Sequence, residues 1–414
     1  MAGVRSSRAG SCVYVAWRAC FCGLLVFFAF FTCAAAAAPF GGGETDLSGV
    51  KAGWAWPVIV IQPPEGWDSP SGESIKYGFR TAEREISFSR EAIGGFEVTF
   101  MFSSVANPAE LSQRVEMWRS MKSYAILSFG DDEMNLELKR LCAERGPSVI
   151  FAGGENMAIK NPVNGLPFPY LFALDYPYFA RANALAGFAM QSVSGQSVVI
   201  MTDRLSEKLA RGADKNADVL RQDGVSAHVY FLPAMVQNRF NAQVQEAVSS
   251  GAGVITSWLD SLSTLSVWRT VMLAGEDVTV CFSGAKNNIL LDANGLVLVD
   301  KDDILNFNDE GKHVMDVKVR DLFGKALGDP VAAAKAYALG KWAINGFVNA
   351  GVISAPSVAK ALSAADSIPL MDETLSIDPR SNRPKSRKFS VLKVGERAYN
   401  PVSSVDVYSV EVIE

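Results

Sequence analysis

The sequence predicts an α/β protein of two lobes, each built on a doubly wound parallel sheet. Its 414 residues are enough for two domains, or for two lobes that each bury a core. The composition, 49% hydrophobic and 20% charged, is that of a globular protein and not of a disordered or polytopic membrane protein. From residue 55 onward, short apolar runs alternate with stretches of helical period, the pattern of parallel strands joined by helices.

Residues 1–37 are typical of a secretory signal peptide. Three arginines precede an apolar run at residues 20–31, and a run of alanines follows. The apolar run is too short to span a bilayer comfortably. Because Pro39 disfavours cleavage after Ala38, we expect cleavage after Ala36 or Ala37. An uncleaved membrane anchor is the alternative. Residues 38–52 then form a flexible lead-in rich in glycine.

The segment after the lead-in predicts a first series of strands and helices. Val58–Ile61 is a continuous β-branched run, which indicates a buried strand. Apolar residues then recur at helical spacing, at Ile75, Phe79, Ala82 and Ile86, and predict a helix with one apolar face. The further elements of this series are a strand at 96–102, a helix from 107 to about 123, a strand at 124–129, a helix from 130 to about 145 and a strand at 149–152.

A second series on the same plan begins with a helix at about 177–192. Strands follow at 198–201, 227–231, 253–258 and 278–282, with helices between them. Because strands and helices alternate, this series predicts a second parallel sheet. The remainder predicts a long helix from Pro330 to about 350, another helix from Pro356, and two antiparallel edge strands, at 388–394 and 405–412.

Composition and motifs exclude several classes of function. Lys and Arg number 39 against 44 Asp and Glu, for a formal charge of −5, and without a basic tract we expect no nucleic-acid partner. The chain lacks the G-x-S-x-G, P-loop, G-x-G-x-x-G and C-x-x-C motifs, so we expect no enzyme and no cofactor. With only two histidines, His228 and His313, we also expect no metal site. His228 lies within a strand and is expected to be packed.

Cysteine usage does not indicate a disulfide framework. Four of the six cysteines lie in the first 33 residues, and only Cys142 and Cys281 lie beyond. We expect these two to be separate buried thiols, with pairing between them as the alternative.

Several short motifs, in their order and spacing, carry a resemblance to a known family. They are Ser71 to Gly78 with Gly94–Val98, Asn107–Ala109, Gly328–Pro330 with Ala336–Ala338, and Glu373–Asp378 with Arg383–Pro384. Over about residues 55–412 the chain resembles the type I periplasmic solute-binding proteins, in particular the branched-chain amino-acid (leucine/isoleucine/valine-binding) family of ABC transporters. Ala338 stands where that family usually has an aspartate.

The resemblance implies a Venus-flytrap architecture, in which the chain crosses between the lobes three times at a hinge. Lobe 1 would comprise 53–174 plus 286–370, and lobe 2 would comprise 175–285 plus 371–414. The implied function is that of a monomeric exported protein, in the periplasm or at the extracytoplasmic surface. It would capture an amino acid or a related small polar solute and deliver it to an ABC-transporter permease. The alternative is a sensor of the same fold that signals through a membrane receptor.

The candidate ligand residues lie where strands end, because ligands of open parallel sheets bind beyond the carboxyl ends. They are Trp67, Ser128, Gly130, Gly153, Gly154, Glu155, Tyr176, Tyr178, Asp203, Trp258 and Ser283. By resemblance, Ser128 and the amides of Gly153 and Gly154 would hold an α-carboxylate, and Asp203 would receive an ammonium group. Packing is the alternative for Trp67 and Trp258, and an N-cap is the alternative for Asp203. The acids in the lobe 1 loops favour a cationic, amide or neutral polar solute over an α-carboxylate.

Overall fold

The computed structural model describes residues 55–86, 97–105, 107–153, 159–192, 197–232, 237–301, 305, 312–371 and 373–408. The predicted signal peptide and lead-in lie outside the described residues. None of the helices within the described ranges has the length and apolarity needed to cross a membrane.

The first sheet is entirely parallel and has the strand order β2-β1-β3-β4-β5. Its strands are β1 (Ala55–Ile61), β2 (Glu97–Ser103), β3 (Ala125–Ser128), β4 (Ser148–Phe151) and β5 (Leu171–Ala173). The sheet is covered by helices on both faces, which is why Val58 to Ile61 are at most 1% exposed. In the described residues the strands are connected by the helices α1 (Pro70–Ile86), α2 (Leu111–Ser120) and α3 (Asp132–Cys142).

Local sequence signals account for where these helices begin. The side chain of Asn107 accepts a hydrogen bond from Ala109 N and caps a short 3₁₀ helix that leads into α2. Asp131 caps α3 by accepting from Met134 N. In α1, Ile75, Phe79 and Ala82 are at most 1% exposed, which confirms the predicted apolar face.

The second series builds the second sheet. Its strands are β6 (Ser197–Asp203), β7 (Ala227–Leu232), β8 (Ala252–Trp258), β9 (Thr279–Phe282) and β10 (Val297–Lys301), and its helices are α4 (Ala180–Ser192), α5 (Glu207–Gln222), α6 (Gln237–Ser249) and α7 (Ser261–Ala274). These five strands are parallel to one another. The sequence prediction of a second parallel sheet is thus confirmed.

The remaining chain contributes to both lobes. It forms α8 (Val314–Phe323), α9 (Pro330–Asn349), α10 (Ala355–Ser363), the short hairpin strands β11 (Ile368–Leu370), β12 (Glu373–Leu375), β13 (Ile377–Asp378) and β14 (Arg383–Pro384), and the long strands β15 (Ser386–Gly395) and β16 (Ala398–Tyr408). As predicted, β15 and β16 are antiparallel, and they extend the second sheet to the order β16-β15-β10-β9-β8-β6-β7.

Each sheet has one apolar core on each face. In the first lobe, α1, α8, α9 and α10 cover one face, and α2 and α3 cover the other. In the second lobe, α4 and α5 cover one face, and α6 and α7 cover the other. Both lobes are therefore three-layered sandwiches, as expected of doubly wound sheets.

Three sequence expectations need correction. The lobe boundary at residue 286 would place β10 in lobe 1, but Val297 and Leu298 pair with Cys281 and Phe282 of β9 in the second sheet. The apolar run of β10 could not reveal which of two similar sheets it joins. His228 is exposed and not packed, because β7 is the edge strand of its sheet. The lobe boundary at residue 370 is likewise too early, because Leu375 and Ile377 lie in the first lobe's apolar core. The limit at residue 174 remains a prediction.

The chain crosses between the lobes three times, in agreement with the predicted hinge. The crossings follow β5, β10 and β14 and lead to α4, α8 and β15, respectively. Cys142 and Cys281 are buried free thiols, as expected.

Candidate functional site

The carboxyl ends of the parallel strands define the candidate site. In the first sheet these ends are Ile61, Ser103, Ser128, Phe151 and Ala173, and in the second they are Asp203, Leu232, Trp258, Phe282 and Lys301. Backbone N–H groups at the helix starts that follow such ends can bind polar or anionic groups. Each predicted ligand residue can be placed relative to these two edges.

Trp67, in the loop after β1, is hydrogen-bonded to the end of β2. Its Nε1 donates to the carbonyl oxygen of Ser103 at 3.0 Å, and its ring meets the edge of Phe102 at a centroid distance of 5.0 Å. The residue is 9% exposed, with Lys76 Nζ 5.7 Å from its ring centroid. Trp67 thus positions the loop after β1 and presents little of its own surface.

Ser128 and Gly130 are brought together at the start of α3. The Ser128 hydroxyl donates to Asn135 Oδ1 at 2.6 Å and accepts from Gly130 N at 3.2 Å. Asn135 Nδ2 donates back to the Gly130 carbonyl at 3.0 Å. Ser128 is fully buried, and its hydroxyl proton is donated to Asn135. In this conformation the hydroxyl therefore holds the loop and does not face a ligand.

Gly153 offers an open position at the lobe 1 edge. It follows β4, it is half-buried, and a Cβ added there would meet no atom within 4 Å. Gly154 and Glu155, the other two predicted residues of this loop, lie outside the described residues.

Tyr178 and Trp258 are brought together in lobe 2. Their rings pack edge to face with centroids 5.8 Å apart, and Lys208 Nζ lies 4.1 Å from the Tyr178 centroid. Trp258 is fully buried, and its Nε1 lies 3.5 Å from Asn216 Oδ1. Tyr178, which is half-buried, is therefore the member of this pair that presents surface.

Ser283 lies beside Trp258 at the lobe 2 edge, because Ser257 and Phe282 are register partners one residue earlier. Its carbonyl oxygen accepts from Arg181 Nη1 at 3.0 Å, and Arg181 Nη2 lies 3.6 Å from Asp300 Oδ1. The Ser283 hydroxyl is buried without a hydrogen-bond partner in the described part of the chain. Arg181 thus places a cation at the start of α4, next to this strand end.

Asp203 closes the turn after β6. Its Oδ1 accepts from Leu205 N at 2.8 Å, and Ser206 takes the N-cap position of α5. Asp203 is half-buried. The N-cap alternative for Asp203 is therefore wrong. A helix capped by Asp203 would begin at residue 204, whereas α5 begins at Glu207.

Tyr176 belongs to the crossings and not to a strand end. It is 3% exposed, and its hydroxyl donates to the Pro384 carbonyl at 2.8 Å. This bond joins the first crossing to the third.

The neighbouring Asp175 is the most electrostatically perturbed group at the site, and sequence reasoning missed it. Its Oδ2 accepts from Lys301 Nζ at 3.0 Å and from Lys335 Nζ at 2.9 Å. Burial by itself would raise the pKa of this carboxyl group, but the charges of Lys335, Lys301 and Arg387 outweigh burial and hold the pKa well below its usual range. Asp175 is therefore a buried carboxylate, and only its position directly before Tyr176 at the crossing could have indicated it.

Arg181, Asn135 and Asn216 were also missed. Each lies within a helix, on a face that packs against a strand end, so the strand-end rule does not find it. In the described ranges, no group of three or more His, Cys, Asp or Glu side chains is arranged to hold a metal ion.

No protein-family model matches the sequence, and no curated protein is similar enough to count as a relative. Solved structures, in contrast, share its architecture over most of the chain. An ABC-type branched-chain amino acid transporter from Rhodopseudomonas palustris gives a TM-score of 0.62 at 11% identity, over 85% of this chain and 96% of that one.

Two further structures are similar. An ABC transporter substrate-binding protein from Sphaerobacter thermophilus gives a TM-score of 0.60 at 14% identity, covering 86% of this chain and 98% of that one. A leucine binding protein from Thermotoga maritima gives 0.54 at 16% identity, covering 86% and 100%. At such identities the likeness establishes architecture and not ligand. The chain has the type I periplasmic binding protein fold.

Proposed function

We propose that this chain is an exported binding protein that captures an amino acid or a related small polar solute between its two lobes. We propose further that it delivers the solute to an ABC-transporter permease. One observation supports this most directly: the carboxyl ends of both sheets approach each other at the crossings. Asp175 follows the end of β5 by two residues, and it binds Lys301, the last residue of β10.

The groups that are accessible at the carboxyl edges of the two sheets suit a small polar ligand. Gly153 offers open space beside a strand end, and Tyr178 offers an aromatic surface backed by the Lys208 cation. Apolar contact with a few polar groups is the usual composition of a small-molecule site. Of the named structural neighbours, one is described as a leucine binding protein and one as a branched-chain amino acid transporter, which supports an amino acid as the first class to test.

A thermal-shift screen tests the binding proposal. The purified exported protein is heated with amino acids, amides, polyamines and sugars, each in large excess. A ligand at about a thousand times its Kd should stabilise the fold by about 4 kcal/mol and raise the unfolding midpoint by several degrees. A shift confined to one class names the ligand class. No shift with any amino acid or amide would contradict the proposal.

A substitution at Gly153 tests the location of the site. Gly153→Leu places a bulky side chain into open space, so it should leave the fold intact and abolish the ligand-induced shift. Ala364→Leu is the matched control, because it adds the same side chain at an exposed position after α10, away from the strand ends. Equal ligand-induced shifts in the two variants would place the ligand elsewhere.

Export and delivery need their own measurements. Mass spectrometry of the protein recovered after export should show a first residue of Ala37 or Ala38, as the signal-peptide prediction requires. Deleting the gene should abolish high-affinity uptake of the solute that the screen identifies. Unchanged uptake would contradict delivery to a permease and favour the sensor alternative.

A further inference from the structure

Asp175 is the point at which all three crossings and one lobe 1 helix converge. Lys301 ends β10 at the second crossing, Arg387 is the second residue of β15 at the third, and Lys335 lies on α9 of lobe 1. Arg383, just before the third crossing, donates to the Asp175 backbone carbonyl. Because these groups belong to different lobes and crossings, a rotation of the lobes must change their distances to Asp175.

The two carboxylate oxygens of Asp175 are used unequally. Both lysines bind Oδ2, at 3.0 and 2.9 Å. Oδ1 is buried and has no hydrogen-bond donor in the described part of the chain. A buried acceptor of this kind is unusual, since nearly all buried polar groups are paired.

The missing donor lies close by. The Arg387 side chain is 10% exposed, and within the described residues its Nε and Nη2 have no hydrogen-bond acceptor. Its Nη2 lies 3.9 Å from Asp175 Oδ1, whereas a charged hydrogen bond of this type is about 2.7–2.9 Å long. A relative movement of about 1 Å would satisfy the unpaired Oδ1 acceptor and the Nη2 donor together.

We propose that the Asp175–Arg387 pair is a hinge latch, which is open in this conformation and forms its hydrogen bond when the lobes close. The latch favours the closed arrangement even without ligand, because it stabilises one of two lobe orientations. It would therefore set the fraction of closed protein and, through that fraction, the apparent affinity for the ligand. The affinity part of this inference rests on the proposed function, while the conformational part stands on the hinge alone.

Interlobe distances measured by pulsed EPR test the latch. Spin labels are attached at Leu136→Cys on α3 and Leu273→Cys on α7, whose native side chains are 62% and 89% exposed. The native Cys142 and Cys281 should not be labelled, since both are fully buried and burial raises the pKa of both thiols, that of Cys142 to about 12. The other four cysteines belong to the predicted signal peptide.

The decisive variant is Arg387→Gln, which removes the charged donor. Without ligand, it should reduce the closed fraction by about tenfold, the effect of losing one charged hydrogen bond. The matched control is Lys385→Gln, which removes a cation from the same crossing. Lys385 forms an exposed ion pair with Asp366, with Nζ and Oδ1 2.9 Å apart. Lys385→Gln should leave the distance distribution unchanged.

A second arm uses L-leucine at saturating concentration. In the wild type it should shift the distribution to the closed distance, and Arg387→Gln should weaken the apparent affinity by the factor by which it lowers the closed fraction. If L-leucine changes nothing in the wild type, the proposed function fails for that solute, while the ligand-free comparison still decides on the latch.

The latch would be overturned if Arg387→Gln and Lys385→Gln gave the same ligand-free distribution. That result would mean that the 3.9 Å separation is a fixed feature of the hinge. Should Arg387→Gln fail to fold, Asp175→Asn removes the other charge of the pair, and a wild-type closed fraction in this variant would equally contradict the latch.

Discussion

Gly212 and Trp258 make a contact that leaves no room for a methyl group. A Cβ on Gly212 would lie 2.1 Å from the ring of Trp258, which is fully buried. Gly212→Ala would gain about 1 kcal/mol in helix propensity. Overpacking against an enclosed ring costs about 1–3 kcal/mol of unfolding free energy. Because the distance is so short, we expect a cost near the upper end of that range at Gly212. We therefore expect a net loss of about 1–2 kcal/mol of unfolding free energy, measured by urea denaturation.

A double-mutant cycle checks the cause of that loss. In a Trp258→Leu background the ring is gone, so the additional effect of Gly212→Ala should fall to zero or become stabilising. The same loss in both backgrounds would show that the alanine acts through something other than Trp258.

Single residues also show where sequence reasoning about the site reaches its limit. Strand ends could be predicted, and Ser128, Trp258 and Ser283 all lie at or directly after one. Their solvent exposure could not be predicted, because helices cover both faces of each sheet and a strand-end side chain can turn into either core. The partners that occupy these side chains, Asn135 and Asn216, come from helix faces that carry no chemical motif.

Among the elements, α1 and α9 approach each other more closely than side chains would allow. A Cβ on Gly78 would lie 2.3 Å from the backbone oxygen of Ala333, which cannot move unless α9 shifts. A Cβ on Gly340 would lie 3.0 Å from the Ala82 side chain, a gap that a small adjustment can relieve. We expect Gly78→Ala to destabilise the protein by about 2–3 kcal/mol and Gly340→Ala by less than about 1 kcal/mol.

Urea denaturation of both variants measures this difference directly. The two substitutions add the same methyl group within helices, so propensity contributes equally to both. Equal losses would contradict the geometric argument, since only Gly78 is opposed by backbone.

The start of α9 provides a second prediction at this scale. Asp329 accepts from Ala332 N at 3.0 Å through Oδ1 and from the Ser71 hydroxyl at 2.6 Å through Oδ2. Asp329→Ala removes both the cap and the tie to α1, so we expect a loss of about 1–2 kcal/mol. Asp329→Asn keeps one acceptor oxygen and should lose less. An alanine variant no less stable than the asparagine variant would argue against the cap.

Whole elements were more predictable than their assignment to lobes. The β-branched runs and helical periods located the strands and helices of both lobes, because burial on two faces leaves a strong apolar signal. The assignment of β10 failed, since its apolar run fits either sheet and only its register with β9 decides the matter. The resemblance supplied the three crossings, whereas the charges that meet there follow from three-dimensional proximity and have no local signature.

At the scale of the whole molecule, two carboxylates connect distant segments and link stability to pH. Asp175 joins the crossings. Glu85 of α1 accepts from the Tyr337 hydroxyl at 2.7 Å and from Lys341 at 3.1 Å, both on α9. Burial would raise the pKa of Glu85, but the bonds from Tyr337 and Lys341 outweigh it and lower the pKa. Both carboxyl groups thus have folded pKa values below those of the unfolded chain, which are about 3.9 for Asp and 4.3 for Glu.

The direction of the pH effect follows from those lowered pKa values. A carboxyl group with a depressed folded pKa stabilises the fold above its unfolded pKa, and this contribution is lost as pH falls below that value. The unfolding free energy should therefore drop between pH 6 and pH 3, with about 1 kcal/mol of the drop due to Asp175. Asp175→Asn should remove that part, and Glu85→Gln should remove a smaller part, when each is measured by urea denaturation at both pH values.

Lys335→Met tests the assignment from the other side of the ion pair. Removing one of the cations raises the folded pKa of Asp175 toward its unfolded value, so the drop in stability between pH 6 and pH 3 should be smaller than in the wild type. If Asp175→Asn lost as much stability between pH 6 and pH 3 as the wild type, the acid sensitivity would have to come from other carboxylates. In that case the convergence of the three crossings on Asp175 would be geometric and would contribute little to the pH dependence of stability.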